Sequence, residues 1–184
     1  MTDNSLISQK AITAYKERLK RMNSLVEASP DKFIDKYTAV SQQVENLHVK
    51  AKIGEFEIES DEPKDLGGDN IAPNPMQLLL ASIANCLELT ALTFFSLSNL
   101  KVDSIKVKVS AYYDKSIMLK ATDILNTIPG FYDFTLHWYI RTEENSSKVE
   151  EVLDKVQRIC PAKGTITKKN QFSQEIYISK TSEK

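Results

Sequence analysis

The sequence predicts an α+β fold in which strands surround one buried helix. Three observations carry this reading. Residues Pro75 to Leu100 (PMQLLLASIANCLELTALTFFSLSNL) contain Glu88 as their one charge, and a helix apolar on nearly all sides is normally wrapped by the rest of its domain. Six shorter segments carry the two-residue alternation of half-buried strands. Two further stretches show the three- and four-residue spacing of amphipathic helices.

In chain order, Leu6, Ile7, Ala11, Ala14, Tyr15, Leu19, Met22 and Val26 predict a helix within residues 5–28, stopped by Pro30. Its other face, with Lys10, Lys16, Arg18, Lys20 and Arg21, reads as solvated surface. Strands are expected at Tyr37–Val44, Leu47–Ile53 and Glu55–Ser60, with Gly54 as a turn and Phe56 and Ile58 on one face. Residues 61–75 hold three prolines and the pair Gly67 and Gly68, which forbids regular structure and predicts a long loop. The glycine spacing fits no phosphate-binding or dinucleotide loop. Asn74 stands at the N-cap position of the apolar helix, and Pro75 suits its first turn.

Val102–Tyr113 follows as a strand with Ile105, Val107 and Val109 inward and Lys106 and Lys108 outward. Residues 114–130 form an indistinct connection with room for a short helical turn. Phe131–Thr142 is a strand with Phe134, Leu136, Trp138 and Ile140 on one side. His137 falls on the other side and has no partner at a useful spacing, so it reads as a surface residue. Ser147 and Glu150 have the form of a capping box for a helix that runs to Cys160 and is stopped by Pro161 and Gly164. There the macrodipole would by itself disfavour a thiolate. Phe172–Ser179 is expected as a last strand, before a short tail.

The 184 residues suffice for one sizeable domain with an appendage. We divide them into a helical extension, 1–36, and a main domain, 37–184. With 24 basic against 25 acidic residues, neither nucleic acid nor a membrane surface is an expected partner. The first ten residues carry no basic segment leading into an apolar run, so the cytoplasm is the expected compartment. Leu78–Leu97 is about long enough to cross a bilayer. However, Glu88 near its centre is costly in hydrocarbon, and Asp65 and Asp69 stand where basic flanks would, so no membrane span is expected.

Cys86 and Cys160 fit neither a disulfide framework nor a zinc site, and no metal or cofactor is expected. A reducing compartment keeps both as thiols outside catalysis or sensing. Ser82, Thr90 and Thr93 share the helix face of Cys86, which places a line of small polar groups beside the thiol, with Gln77, Asn85 and Glu88 on a neighbouring edge. A cysteine in such a helix is also an ordinary small apolar filler.

The order of elements and several motifs resemble the OsmC/Ohr family of osmotically inducible and organic hydroperoxide resistance proteins. The matching residues are Asp61-Glu62-Pro63, Gly67-Gly68-Asp69, the run from Pro73 through Ser82 to Cys86 and Thr90, and Cys160-Pro161, within residues 37–179. Each piece is weak alone, but together they keep the family's order and approximate spacing.

The resemblance implies an intertwined homodimer in which antiparallel sheets wrap central helices and each site lies at the subunit interface. It implies Cys86 as the thiol that attacks an organic hydroperoxide, Cys160 as the one that resolves the sulfenic acid, and a dithiol reductant of lipoyl or thioredoxin type. Such chemistry needs a thiolate stabilised by a cation or strong donors, and a second thiol near enough to prevent over-oxidation. Here the chain departs from the best-studied peroxidases of the family. Met76 stands where they have a glutamate, and the early strands offer Lys50 and Lys52 where they have an arginine, a point charge in place of a planar fork. The groove-lining candidates are Met76, Ser82, Thr90 and Thr93. Two other readings stand beside the peroxidase: a redox-sensing or small-molecule-binding module on the same scaffold, and a structural dimer with two buried thiols.

Overall fold

The computed structural model describes residues 6–26, 28–116 and 129–178. Helix α1 is Gln9–Val26; strands β1 (Val40–Glu45), β2 (His48–Ile53) and β3 (Phe56–Ser60) form an antiparallel sheet in that order. Helix α2 (Pro75–Leu97) follows, then β4 (Ser104–Tyr113) and β5 (Phe131–Arg141), which pair with each other in a second antiparallel sheet. Helices α3 (Ser146–Ile159) and α4 (Pro161–Thr167) come last among the described elements. The α+β class and the central helix follow the sequence reading. The helical turn expected near residues 114–130 lies largely outside the described residues.

Helix α2 starts where its sequence permits. Asn74 Oδ1 accepts from the Gln77 N–H at 2.9 Å, and Gln77 Oε1 accepts from the Asn74 N–H at 2.8 Å, so two otherwise orphaned donors are satisfied reciprocally. Four-residue steps then bury Ile83, Leu87, Ala91 and Phe95 on one stripe. Against it pack Val102 and Val107 from the β4 side and Val149, Val152 and Val156 from α3. Each fully buried Ile, Leu or Val in this cluster contributes roughly 1.5–3 kcal/mol. By length and mean hydropathy, 1.8, α2 would pass for a membrane span, but it is the central core helix here.

The second sheet keeps the expected alternation, with Ile105, Val107 and Val109 opposite Ile140, Trp138 and Leu136 in register and packed on the core. Phe134 departs from it. The register shifts beside Ser110, Asp133 takes a left-handed φ of 51°, and Phe134 meets Phe131 edge to face with ring centroids 6.0 Å apart.

The connection from β3 to α2 is organised by Asp61, which is 2 % exposed. Its Oδ1 accepts from the Glu62 N–H at 2.9 Å, and its Oδ2 from those of Asp69 and Ile71 at 3.0 and 3.1 Å. A short 3₁₀ turn, Lys64–Leu66, interrupts the expected irregular loop and ends at Gly67 with φ 91°. Gly68 packs so tightly that a Cβ there would fall 1.9 Å from the Glu62 carbonyl oxygen.

Three expectations change at the C-terminal end. The capping box at Ser147 and Glu150 does not form; Asn145 caps α3, accepting from the Ser147 N–H at 2.9 Å. Pro161 does not merely end that helix but opens α4, and Gly164 lies inside it. Phe172–Ile178 is extended in sequence pattern but makes no strand, and Phe172, Ile176, Tyr177 and Ile178 are exposed; Ser179 lies outside the described residues. With no strand beside it among the described residues, the segment has no ladder to join. Val40, Val44 and Phe56 of the three-stranded sheet are likewise exposed.

Candidate active site

One stripe of α2 borders a cavity of about 680 Å³: Leu78, Ser82, Cys86, Leu89 and Thr93 recur every three or four residues along it. Three other parts of the chain border the same open cavity. Ile58 comes from β3, Tyr15 from α1, and Ile159 with Pro161 from the joint of α3 and α4. Among the described residues no lining side chain carries a charge.

The line of polar groups expected beside the thiol is less polar than its composition. Thr90 Oγ1 donates to the Cys86 carbonyl at 2.7 Å, and Thr93 Oγ1 donates to the Leu89 carbonyl at 2.9 Å. Both hydroxyls are thus engaged one turn back along the helix, which leaves the threonine methyls as the groups free to meet an occupant. The wall is mostly apolar, with the Cys86 sulfur in it and Ser82 and Asn85 as its remaining polar residues.

Cys86 is half-buried and Cys160 is 1 % exposed; neither is in a disulfide. Cys160 caps the C-terminus of α3 and at the same time precedes the first turn of α4. Its thiol interacts with that of Cys86. Burial pushes the Cys160 pKa up, and the neighbouring Cys86 adds to the rise; the backbone N–H groups of Lys163 and Ala162 act in the opposite direction without cancelling it. The direction is that expected from the sequence, but its main cause is desolvation, which keeps the proton on this sulfur although α4 turns donors toward it.

That shift has a consequence for stability. A thiol with its folded value raised contributes stability fully present below its unfolded value of about 8.5 and lost as pH rises through the folded value. Denaturant melts from neutral to alkaline pH are expected to show wild-type stability falling in that range, and Cys160→Ser, with no thiol to ionise, falling less. Parallel curves for the two proteins would contradict the assignment.

The other candidates are distributed differently. Met76 is half-buried in the first turn of α2, away from the cavity lining. Lys50 and Lys52 pair in register with Glu59 and Glu57, whereas Ala51 pairs with Ile58, so both lysines lie on the sheet face opposite the one that reaches the cavity. Lys50 is held by Glu59 at 2.9 Å, and Glu59 also meets His48 at 3.0 Å; this pairing raises Lys50 and lowers Glu59. Tyr15, Ile58 and Ile159 were missed as lining residues. Each stands in the sequence as an ordinary member of an apolar face, and nothing in its spacing says which cavity that face borders.

The chain matches the model of the OsmC-like protein family over residues 67–175, more than half its length. No curated protein sequence matches it. Among solved structures it is similar to an OsmC-like protein from Mycoplasma pneumoniae, with 22 % identity, a TM-score of 0.60, and coverage of 72 % of this chain and 87 % of that one. An organic hydroperoxide resistance protein OsmC from Legionella pneumophila gives 22 % identity and a TM-score of 0.54, with 73 % and 90 % covered. One from Elizabethkingia anophelis, with thiocyanate bound, gives 23 % and 0.55, with 74 % and 91 % covered. At these identities the solved structures speak for the fold, and the family match extends through both cysteines, so this chain belongs to the OsmC-like protein family.

Proposed function

We propose that the protein is a thiol peroxidase that reduces organic hydroperoxides, with Cys86 attacking and Cys160 resolving. The observation that carries the reading is the meeting of two thiols, distant in sequence, where one of them opens into an apolar cavity. Cys86, as thiolate, attacks the outer peroxide oxygen; the O–O bond breaks, the sulfur becomes a sulfenic acid, and the organic fragment leaves as an alcohol after taking a proton. Cys160 then attacks the oxidised sulfur. An S–S bond forms, and the expelled hydroxide leaves as water with the Cys160 proton. A dithiol reductant, of lipoyl or thioredoxin type, returns two electrons and restores both thiols.

The apolar lining favours organic peroxides over hydrogen peroxide, because a small polar oxidant gains nothing from it. The site is proposed to work in a cytoplasmic homodimer. Exposed Val40 and Phe56 on the three-stranded sheet, together with Phe172 and Tyr177, are apolar surface of the kind that marks an interface. In such a dimer Lys50 or Lys52 of the second protomer is the proposed cation beside the thiolate. The rival reading is a redox-sensing or electrophile-binding module, favoured by the absence of charge from the described lining.

Anaerobic titration with cumene hydroperoxide separates the two. The peroxidase is expected to lose two thiols per peroxide, to yield a peptide cross-linked between Cys86 and Cys160, and to repeat the cycle when dithiol is added. In Cys160→Ser the first oxidation is expected to persist, and excess peroxide carries Cys86 on to the sulfinic acid. Oxidation that stops after one equivalent despite reductant supports the sensor. No thiol loss removes both readings.

A further inference from the structure

Tyr15 stands between two cavities. It lines the cavity of Cys86, and it also lines a second, partly open one of about 230 Å³ between α1 and α2, bordered by Ile12 on α1 and by Ser96 and Leu97 on α2. On α2 the residue common to both is Thr93. The two spaces therefore lie in succession along α2, and Tyr15 with Thr93 is the partition between them. The second cavity is apolar for the same reason as the first: Ser96 Oγ donates to the Leu92 carbonyl at 2.8 Å, which removes its hydroxyl from the lining. Tyr15 belongs to the helical extension, outside the segment matched by the family model.

We infer that Tyr15 is a specificity-determining residue: it closes the Cys86 cavity toward Leu97 and limits how far an unbranched apolar group reacting at the thiol can lie along α2. The inference rests on the peroxidase reading for the identity of the natural reactant, but the partition acts on any reagent directed at Cys86. Removing the ring joins the two spaces and gives a long alkyl chain further apolar surface to bury. Compact reagents gain nothing from the change.

The test compares alkylation of Cys86 by N-ethylmaleimide and N-dodecylmaleimide, with the modified peptide identified by mass. Tyr15→Ala is expected to raise the ratio of dodecyl to ethyl rates roughly fourfold to fifteenfold, as for burial of one or two further methylenes. Tyr15→Phe, which keeps the ring, is expected to leave the ratio unchanged. Ile12→Ala loosens the packing of α1 without opening the partition, and is also expected to leave it unchanged. An unaltered ratio in Tyr15→Ala, or an equal rise in Ile12→Ala, overturns the inference. In the same variants, kcat/KM for dodecyl hydroperoxide relative to cumene hydroperoxide is expected to follow the alkylation ratio. A shifted alkylation ratio with no turnover of either peroxide upholds the partition and removes the peroxidase.

Discussion

Cys86→Ser is expected to lower dithiol-driven turnover of an organic hydroperoxide by roughly a thousandfold or more, about 4 kcal/mol of barrier. A serine hydroxyl fills nearly the same volume in the wall of the cavity, so the site keeps its shape. What is lost is chemical: the hydroxyl is un-ionised at neutral pH, and its oxygen has no counterpart of the sulfenic state. Cys160→Ser should behave differently, because the first oxygen transfer does not use it. A burst of one alcohol per chain, followed only by the slower second equivalent that takes Cys86 to the sulfinic acid, is its expected signature. Turnover by Cys86→Ser within tenfold of wild type rules out the mechanism, whatever the second cysteine does.

Asp61→Ala is expected to lower the thermal midpoint at neutral pH by roughly 5–10 °C. The substitution removes one acceptor group from three backbone donors, those of Glu62, Asp69 and Ile71, in a loop that has folded around it. The pH dependence identifies the cause. Burial pushes the Asp61 carboxyl up, but the backbone N–H groups of Ile71, Asp69 and Glu62 outweigh it and, with His48, hold it below the usual carboxylate value. A depressed folded value means a contribution present above the unfolded value of about 3.9 and lost as pH falls through the folded one. The difference between wild type and Asp61→Ala should therefore shrink in acid. A gap that stays constant down to about pH 2, with both proteins still folded, would place the effect elsewhere than in the carboxylate.

Periodicity was enough to find the buried helix, because a stripe such as Ile83, Leu87, Ala91 and Phe95 is a local pattern in the chain. The same holds for Ile105, Val107 and Val109. The cap of α3 escaped it, since Ser147 and Asn145 are both good caps and the choice depends on the approach of the preceding strand. Phe172–Ile178 has the composition of a strand, and composition does not say whether a neighbour is within reach. At the site, the thiols were named by their motifs, while Tyr15 and Ile58 arrive at the cavity through tertiary packing alone. The hydroxyls of Thr90 and Thr93 illustrate the limit well: their residue types read as polar, and only their bonds to the helix backbone leave their methyls to face the cavity.

The three-stranded sheet, with Phe56 at 77 % exposure and Val40 at 64 %, bears on how this protein is handled at the bench. If a second copy covers that surface, folding and assembly form a single mass-action equilibrium, and the midpoint of unfolding depends on how much protein is in the tube. Dilution then weakens the fold itself. In that case comparisons between variants carry meaning only at matched concentration, and a substitution on the sheet far from either sulfur would act by unlinking the two copies.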